Sequence, residues 1–215
     1  WPWRHQYTSR YFEVISEGAI ASAKIVMERL SFQPRRVIDV GCGAGEWNNG
    51  NEEYYGIDHL VDRSRLLFPV ERYIDCNLNR EFPSGLPDFD LALCLEVAEH
   101  LHPSRALLLV AYLCTLSDYV LLSAAIPHQG GNGHVNEQWQ TYWAGLFRKN
   151  GYGMADTQPY LKDCKEVELW YRQNIILYKR GAKGIEVLNY ESARKSFRNC
   201  TEVYYDREFP RNLDF

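Results

Sequence analysis

The stretch Arg36-Val-Ile-Asp-Val-Gly-Cys-Gly-Ala-Gly45 decides the fold of this 215-residue chain. Its first five residues form a short, mostly β-branched run, which is typical of a strand buried in a parallel sheet. The glycines that follow let the backbone turn tightly and approach a ligand closely where a Cβ atom would collide. We therefore predict a strand that ends in a ligand-binding turn.

Strands and helices are predicted to alternate on both sides of this turn. The helical spacing of apolar residues, Pro103 and the stop at Gly151 predict helices over 8–30, 103–117 and 138–150. After the first strand, four more strands are predicted at 54–58, 71–75, 89–95 and 119–126. Two last strands, 154–160 and 170–179, are predicted to pair as a hairpin with no helix between them.

This order predicts the α/β fold class. We expect a doubly wound, Rossmann-like, mostly parallel seven-stranded sheet with an antiparallel edge strand, in a three-layer α/β/α arrangement. Residues 1–180 are predicted to form one domain, with residues 1–33 as an N-terminal helix that leads into it. Residues 181–215 are a C-terminal extension of unknown role, with a small helix predicted around 190–198.

Composition and charge exclude several classes of partner. The formal net charge of −4 argues against a surface for long nucleic acid, which normally needs a basic stripe. No apolar run approaches the roughly 18 residues of a membrane span. The six cysteines include no Cys-x-x-Cys pair, which favours a reducing compartment. We expect a soluble cytoplasmic protein with a small-molecule substrate; its oligomeric state is not indicated.

The spacing of the turn glycines points to a particular cofactor. Gly41, Gly43 and Gly45 follow a Gly-x-Gly-x-Gly pattern, with Cys42 between the first two, whereas dinucleotide sites normally show Gly-x-Gly-x-x-Gly. Asp39 precedes the turn, and a carboxylate there suits a cation better than a diphosphate. S-adenosylmethionine has no phosphate and carries a sulfonium and an ammonium. We therefore predict S-adenosylmethionine as the cofactor and S-adenosylhomocysteine as the product.

Polar residues at the ends of the next strands complete the predicted cofactor site. Asp58, followed by His59, ends the second strand and is predicted to accept both ribose hydroxyls. The residues after the third strand are predicted to receive the adenine, and those after the fourth strand lie at the edge where open α/β sheets bind ligands. The residues concerned are Asp75, Asn77, Leu78, Leu95 and Glu96.

These motifs resemble the class I S-adenosylmethionine-dependent methyltransferases over roughly residues 34–180, and in particular a bacterial, small-molecule methyltransferase-like branch. The stretches that carry the resemblance are Val37–Gly45, Gly56–Asp58, Val61–Ser64, Leu95–Leu101, Ile126-Pro127 with Gly133–Trp139, and Trp170–Asn174. The resemblance implies methyltransferase activity. It also implies the cofactor roles given above for Gly41, Gly43, Asp58 and the residues after the third and fourth strands.

The chain departs from the family pattern at two places. Only about ten residues separate Gly45 from Gly56, where relatives place a helix of about three turns. This leaves either a shortened loop or missing residues. Asn77 stands where relatives often have Asp, and its amide oxygen can still accept the adenine amino proton.

A second group of residues, Glu99, His100 and His134, is predicted to be catalytic. Methyl transfer needs the acceptor and the methyl group in line, and a base when the acceptor is a hydroxyl. We rank His100 first and His134 second as the base or substrate ligand. The alternative is that Glu99 and His100 only cap the turn after the fourth strand.

A metal site is a further alternative at the same place. Glu96, Glu99, His100 and His134 supply carboxylates and imidazoles suited to Mg²⁺, Mn²⁺ or Zn²⁺. The set is similar to the Glu-x-x-Glu-His and later His of small-RNA 2′-O-methyltransferases, where a metal holds the terminal ribose hydroxyls. Because the chain is acidic and has no basic patch, the interpretation that we favour places no metal here.

The sequence as a whole predicts a methyltransferase that acts on an oxygen or nitrogen of a small metabolite or sugar-containing substrate. Two alternatives stay open. One is a metal-assisted RNA ribose 2′-O-methyltransferase. The other is a non-catalytic scaffold module that retains the fold, which the shortened region after Gly45 makes plausible.

Overall fold

Seven strands and four α-helices make up the described part of the chain. The computed structural model describes residues 9–59, 61–157, 159, 161 and 163–183. The strands are β1 (Arg36–Val40), β2 (Glu53–Asp58), β3 (Tyr73–Asp75), β4 (Leu91–Leu95), β5 (Tyr119–Ser123), β6 (Tyr152–Met154) and β7 (Ile176–Arg180). The helices are α1 (Ser9–Glu28), α2 (Ala106–Leu116), α3 (Gln140–Lys149) and α4 (Leu169–Asn174). The helix predicted around 190–198 lies outside the described residues.

The strands form one sheet in the order β3-β2-β1-β4-β5-β7-β6. β1 to β5 are parallel, whereas β7 is antiparallel to both β5 and β6. The predicted doubly wound sheet with an antiparallel edge is therefore confirmed, with β6 outermost and β7 beside it. The chain winds outward from β1 in one direction and from β4 in the other, so the carboxyl ends of these two neighbours form the switch point at which such sheets bind ligands.

Helices cover both faces of the sheet. Successive residues of β4 point to opposite faces, so Leu93 packs in one core and Cys94 in the other. Buried residues of α2 and α3 belong to the core that contains Cys94. Residues of α1 and Tyr171 of α4 belong to the core that contains Leu93. This confirms the three-layer α/β/α arrangement. No helix of the described part of the chain is long and apolar enough to cross a membrane.

The end of the domain differs from the prediction. The segment predicted as a strand over 170–179 begins as the helix α4, and only Ile176–Arg180 is extended. Tyr171 and Asn174 are both buried, and residues three apart share one face of a helix but not of a strand. The preceding strand is also shorter and earlier than predicted, since it covers Tyr152–Met154. The two strands still pair, but with α4 between them.

A short connection replaces the helix that relatives place between β1 and β2. Residues 41–52 join the two strands without an α-helix, and the parallel register runs unbroken from Arg36 opposite Glu53 to Val40 opposite Ile57. Trp47 lies on the face that α1 covers, with 4% of its surface exposed and its ring edge-on to that of Tyr171. One buried indole thus supplies packing in a loop that is too short for a helix.

Candidate functional site

The glycine turn is fastened to the end of β2 by its backbone. The N–H groups of Gly41 and Cys42 both donate to the carbonyl of Ile57, at 2.7 and 3.1 Å. Gly41, Gly43 and Gly45 all have positive φ angles, which favour glycine. A Cβ on Gly41 would also come within 2.8 Å of Cγ1 of Val97 and closer still to Cγ2. The turn therefore needs glycine for its backbone conformation and for its close approach to the loop after β4.

Asp58 links this turn to the end of β2. Its Oδ2 accepts the N–H of Gly43 at 2.8 Å, and its Oδ1 accepts the N–H of His59 at 2.6 Å. The hydroxyl of Tyr73 donates to the main-chain carbonyl of Asp58 at 3.0 Å. The structure thus brings two predicted cofactor residues, Gly43 and Asp58, into direct contact at the carboxyl edge of the sheet.

Asp39 lies in β1 just before the turn, and it is buried. Only 2% of its surface is exposed, and its carboxylate accepts a hydrogen bond from the hydroxyl of Tyr54 at 2.6 Å. Burial raises the pKa of Asp39 to about 7; the hydrogen bond from Tyr54 opposes this, and the charges of Glu46 and Asp58 add to it. Asp39 therefore lies buried below the glycine turn and is not exposed at its surface.

The raised pKa of Asp39 makes the stability of the protein depend on pH. The carboxyl keeps its proton in the folded state up to about pH 7, whereas an unfolded Asp loses it near pH 4. The free energy of unfolding should therefore fall as the pH rises from about 4 to 7 and level off above. Urea unfolding at several pH values should show that Asp39→Asn removes up to about 4 kcal/mol of this decline.

The control for this measurement is Asp90→Asn. Asp90 is exposed and accepts the N–H groups of Arg35 and Arg36, so its replacement makes the same change from carboxyl to amide away from Asp39 and should leave the decline assigned to Asp39 in place. Parallel stability–pH curves for the wild type and Asp39→Asn would contradict the assignment of the slope to Asp39.

Glu46 is a residue of the turn that the sequence prediction missed. Its Oε2 accepts the N–H of Ala44 at 3.0 Å, and its Oε1 accepts the hydroxyl of Ser16 in α1 at 3.1 Å. Together with Asp39 and Asp58 it places three carboxyl groups around the turn. Such a concentration of acidic groups attracts a cation and repels a phosphate. An acidic residue directly after the last glycine was the available signal.

The predicted adenine side is built from polar contacts within the protein. His59 Nδ1 lies 2.9 Å from one oxygen of Asp75, and Arg63 lies 3.7 Å from the other. The side-chain oxygen of Asn77 accepts the N–H of Asn79 at 3.1 Å. Both groups thus already have partners, and their role toward adenine stays a prediction. The remaining predicted cofactor residues, Leu78 and Leu95, are buried.

Glu96 follows β4 and is the centre of a polar network. Its φ angle is 54°, a conformation that is rare outside glycine and is often found at functional sites. Its carboxylate accepts hydrogen bonds from the hydroxyl of Ser123, from Gln129 at 3.3 Å and from Asn174 at 3.5 Å. Sequence reasoning missed all three partners. Asn174 ends one of the stretches that carry the family resemblance, which was the available signal.

Glu99, His100 and His134 come together as predicted, although His134 is distant in sequence. One ligand atom from each lies within 4.8 Å of the others, and the two imidazole rings are 4.9 Å apart at an angle of 79°. The main-chain carbonyl of Glu99 accepts the N–H groups of Val135 and Asn136 at 2.9 and 3.0 Å. These bonds hold the loop that carries His134 against the turn after β4.

Burial changes the chemistry of this group. Glu99 is fully buried, and burial followed by the nearby Glu96 carboxylate raises its pKa well above the usual range. Burial also lowers the pKa of His100 to about 4, with a further contribution from His134 and a smaller opposing one from the Gly133 carbonyl. His100 is therefore neutral at physiological pH and a weak proton acceptor. A weak proton acceptor is a poorer general base, which argues against ranking His100 ahead of His134 in that role.

Solved methyltransferase structures are similar to the chain in overall fold. MmcR, a mitomycin 7-O-methyltransferase, has a TM-score of 0.54 and 12% identity, covering 84% of this chain and 60% of its own. Human N-acetylserotonin methyltransferase, in complex with S-adenosylmethionine, has a TM-score of 0.54 and 15% identity; the match covers 80% of this chain and 55% of the human enzyme. The magnesium protoporphyrin IX methyltransferase of Synechocystis PCC 6803, with bound S-adenosylhomocysteine, has a TM-score of 0.53 and 14% identity; the match covers 83% of this chain and 92% of that enzyme.

The chain has the class I methyltransferase fold. Neither a protein-family model nor a curated protein sequence matches it. The chain spans 60% of MmcR and 55% of the human enzyme, so the class I methyltransferase fold accounts for only part of those two proteins. In this fold, the glycine turn, Asp58 and Glu96 occupy the carboxyl edge where ligands bind.

Proposed function

We propose that the chain is an S-adenosylmethionine-dependent methyltransferase that acts on an oxygen or nitrogen of a small metabolite or sugar-containing acceptor. One observation carries the proposal. The Asp58 carboxylate bridges the N–H groups of Gly43 and His59 at the edge of the sheet. It stands beside a turn surrounded by carboxyl groups, where a cationic cofactor fits and a diphosphate does not.

The residues of the turn fit S-adenosylmethionine. Gly43 has a φ of 56°, and a Cβ there would lie 3.0 Å from Oε2 of Glu46, so the glycine lets an acidic group lie against the turn. Asp58 supplies a charged acceptor of the kind that holds ribose hydroxyls. Glu46 would favour the ammonium and sulfonium charges. Asp75, Asn77 and Leu78 would lie along the adenine.

The cofactor, when bound, supplies a methyl group on a sulfonium. A lone pair of the acceptor bonds to the methyl carbon as the carbon–sulfur bond breaks, and its electron pair stays on sulfur, giving S-adenosylhomocysteine. The proton of the acceptor passes to a base or to solvent. The protein's task is to align the acceptor, and Glu99, His100 and His134 are the residues that we assign to it, as base or as ligands.

The solved structures that resemble the chain support this proposal. They include enzymes crystallised with S-adenosylmethionine or S-adenosylhomocysteine, and their names give small-molecule substrates such as mitomycin and N-acetylserotonin. With a net charge of −4, a small acceptor suits the chain better than long nucleic acid. The cytoplasmic location stays a prediction from the sequence.

Calorimetric titration of the full chain with S-adenosylmethionine and S-adenosylhomocysteine tests the proposal. Saturable binding of both is expected, with one cofactor per chain. No binding at millimolar cofactor by a folded protein would overturn the proposal and favour the scaffold alternative.

Methyl-labelled cofactor then identifies the acceptor in fractionated cell extract. We expect label in the small-molecule fraction. Label that appears only in the RNA fraction, and is lost on ribonuclease treatment, would contradict this and favour the RNA alternative.

A further inference from the structure

Glu99 presents a buried carboxylate to two imidazole rings. The residue has no exposed surface, and neither carboxylate oxygen makes a hydrogen bond of normal geometry. Its neighbours in the group are His100 and His134. Burial disfavours the charged form of this carboxyl group, and a cation bound between the three side chains would stabilise that form.

The two imidazoles are oriented in the way that metal-binding histidines are. His100 Nδ1 lies 3.3 Å from the carbonyl oxygen of Gly133, and His134 Nδ1 lies 3.0 Å from Oε1 of Glu137. Both partners are hydrogen-bond acceptors, so the tautomer that satisfies them carries its hydrogen on Nδ1 and its lone pair on Nε2. A carbonyl or carboxylate behind each ring is the usual arrangement around metal-binding histidines.

The loop that carries His134 is built around this orientation. The Glu137 carboxylate behind the ring accepts the N–H groups of His128 and Gly130, both at 2.9 Å. At Gly131, a Cβ would come within 2.9 Å of Cδ2 of His134 and closer still to Nε2, so only glycine makes room for the ring. His128 itself has a φ of 73°, which is strained for a residue with a side chain. The loop keeps a costly conformation that positions His134.

We propose that Glu99, His100 and His134 bind one divalent transition-metal ion. Two imidazoles and one carboxylate are a ligand set that Zn²⁺ and Fe²⁺ accept, with at least one coordination position left open. The ligand atoms lie within 4.8 Å of one another, so small side-chain movements bring each to about 2 Å from one ion. Glu96, the fourth residue of the set named from the sequence, is not among the residues whose ligand atoms lie this close together, and its carboxylate accepts hydrogen bonds from Ser123, Gln129 and Asn174.

The open position suggests the class of acceptor, a step that rests on the proposed function. The group follows β4 and so shares the carboxyl edge of the sheet with the glycine turn. A hydroxyl oxygen that binds the ion would lose its proton more easily and become a better nucleophile. A protonated amine has no lone pair for the ion. The metal site therefore favours a hydroxyl acceptor over an amine.

Titration of the full chain with Zn²⁺, with no affinity tag, tests the metal site. One ion per chain is expected, and Co²⁺ should give the visible absorption of a site with nitrogen and oxygen ligands. Glu99→Gln and His134→Asn should each weaken Zn²⁺ binding by at least about 100-fold. The matched control is His102→Asn, because His102 is exposed, lies in the same segment and pairs with Ser104. It should leave the affinity unchanged.

A second measurement separates loss of the site from loss of the fold. Glu99→Gln replaces an unpaired buried carboxylate with a neutral amide, so without metal this variant should melt no lower than the wild type, whereas added Zn²⁺ should raise the melting temperature of the wild type alone. Equal Zn²⁺ affinity in the wild type and both variants, or no Zn²⁺ binding by the folded wild type, would overturn the proposal. Cofactor titration of the same sample separates the two proposals: cofactor binding without Zn²⁺ binding removes only the metal site, and Zn²⁺ binding without cofactor binding removes the proposed function.

Discussion

Asp58→Ala is expected to weaken binding of S-adenosylmethionine by at least about 100-fold, because hydrogen bonds to a charged group each contribute about 1.5–3 kcal/mol. Two effects act together. The variant loses the charged acceptor that we assign to the ribose, and it releases the N–H groups of Gly43 and His59 that shape the edge of the site. Calorimetric titration with S-adenosylmethionine and S-adenosylhomocysteine measures the loss, and both ligands should be affected alike because both carry the ribose.

Asp90→Ala is the matched control for Asp58→Ala. Like Asp58, Asp90 accepts two backbone N–H groups. They belong to Arg35 and Arg36, at the start of β1, at 2.8 and 2.9 Å. Both variants lose two backbone hydrogen bonds, so both should be less stable. Only Asp58→Ala should lose cofactor affinity. If the two variants bind cofactor equally well, Asp58 has no part in the site.

Gly41→Ala is expected to lower the free energy of unfolding by about 2–5 kcal/mol and to abolish cofactor binding. The φ of Gly41 is 91°, which strains a residue with a side chain, and the new methyl group collides with Val97. Relief of that collision has to move either the glycine turn or the loop after β4. Urea unfolding gives the loss of stability, and cofactor titration of the folded variant gives the loss of binding.

Gly50→Ala separates the collision from the backbone strain. Gly50 has a φ of 75°, but a Cβ there meets no atom within 4 Å. This variant should lose only about 1 kcal/mol and keep its cofactor affinity. The double variant Gly41→Ala/Val97→Ala should be less destabilised than the sum of its two single changes, since the second change removes the collision. Equal losses for Gly41→Ala and Gly50→Ala would show that contact with Val97 is unimportant.

Much of the fold could be predicted because it depends on local patterns. The β-branched run of β1 favours an extended strand, and the glycines after it permit the positive φ angles of the turn. Both effects are steric and act between neighbouring residues. The helical spacing over residues 8–30 predicted α1, and the length of the segment after Gly45 predicted the absence of a helix there. The helix α4 was missed because a six-residue helix offers too few turns for its period to be recognised.

The candidate site was predictable in its residue types and only partly in its partners. Asp58 could be placed because it ends a strand beside the strand that carries the glycines. The partners of Glu96 could not, since Ser123, Gln129 and Asn174 come from three different segments. Such contacts depend on how loops cross the edge of the sheet, and no local pattern encodes that crossing.

The sequence by itself determined the sheet, the glycine turn and the identity of the residues at the strand ends. Only the tertiary structure decided what those residues can do. It buried the Glu99 carboxyl group near Glu96, brought His134 beside His100, and lowered the pKa of His100 by removing water from its ring. The physical reason is that backbone sterics and periodicity act over a few residues, whereas desolvation and charge depend on every segment that packs around a group.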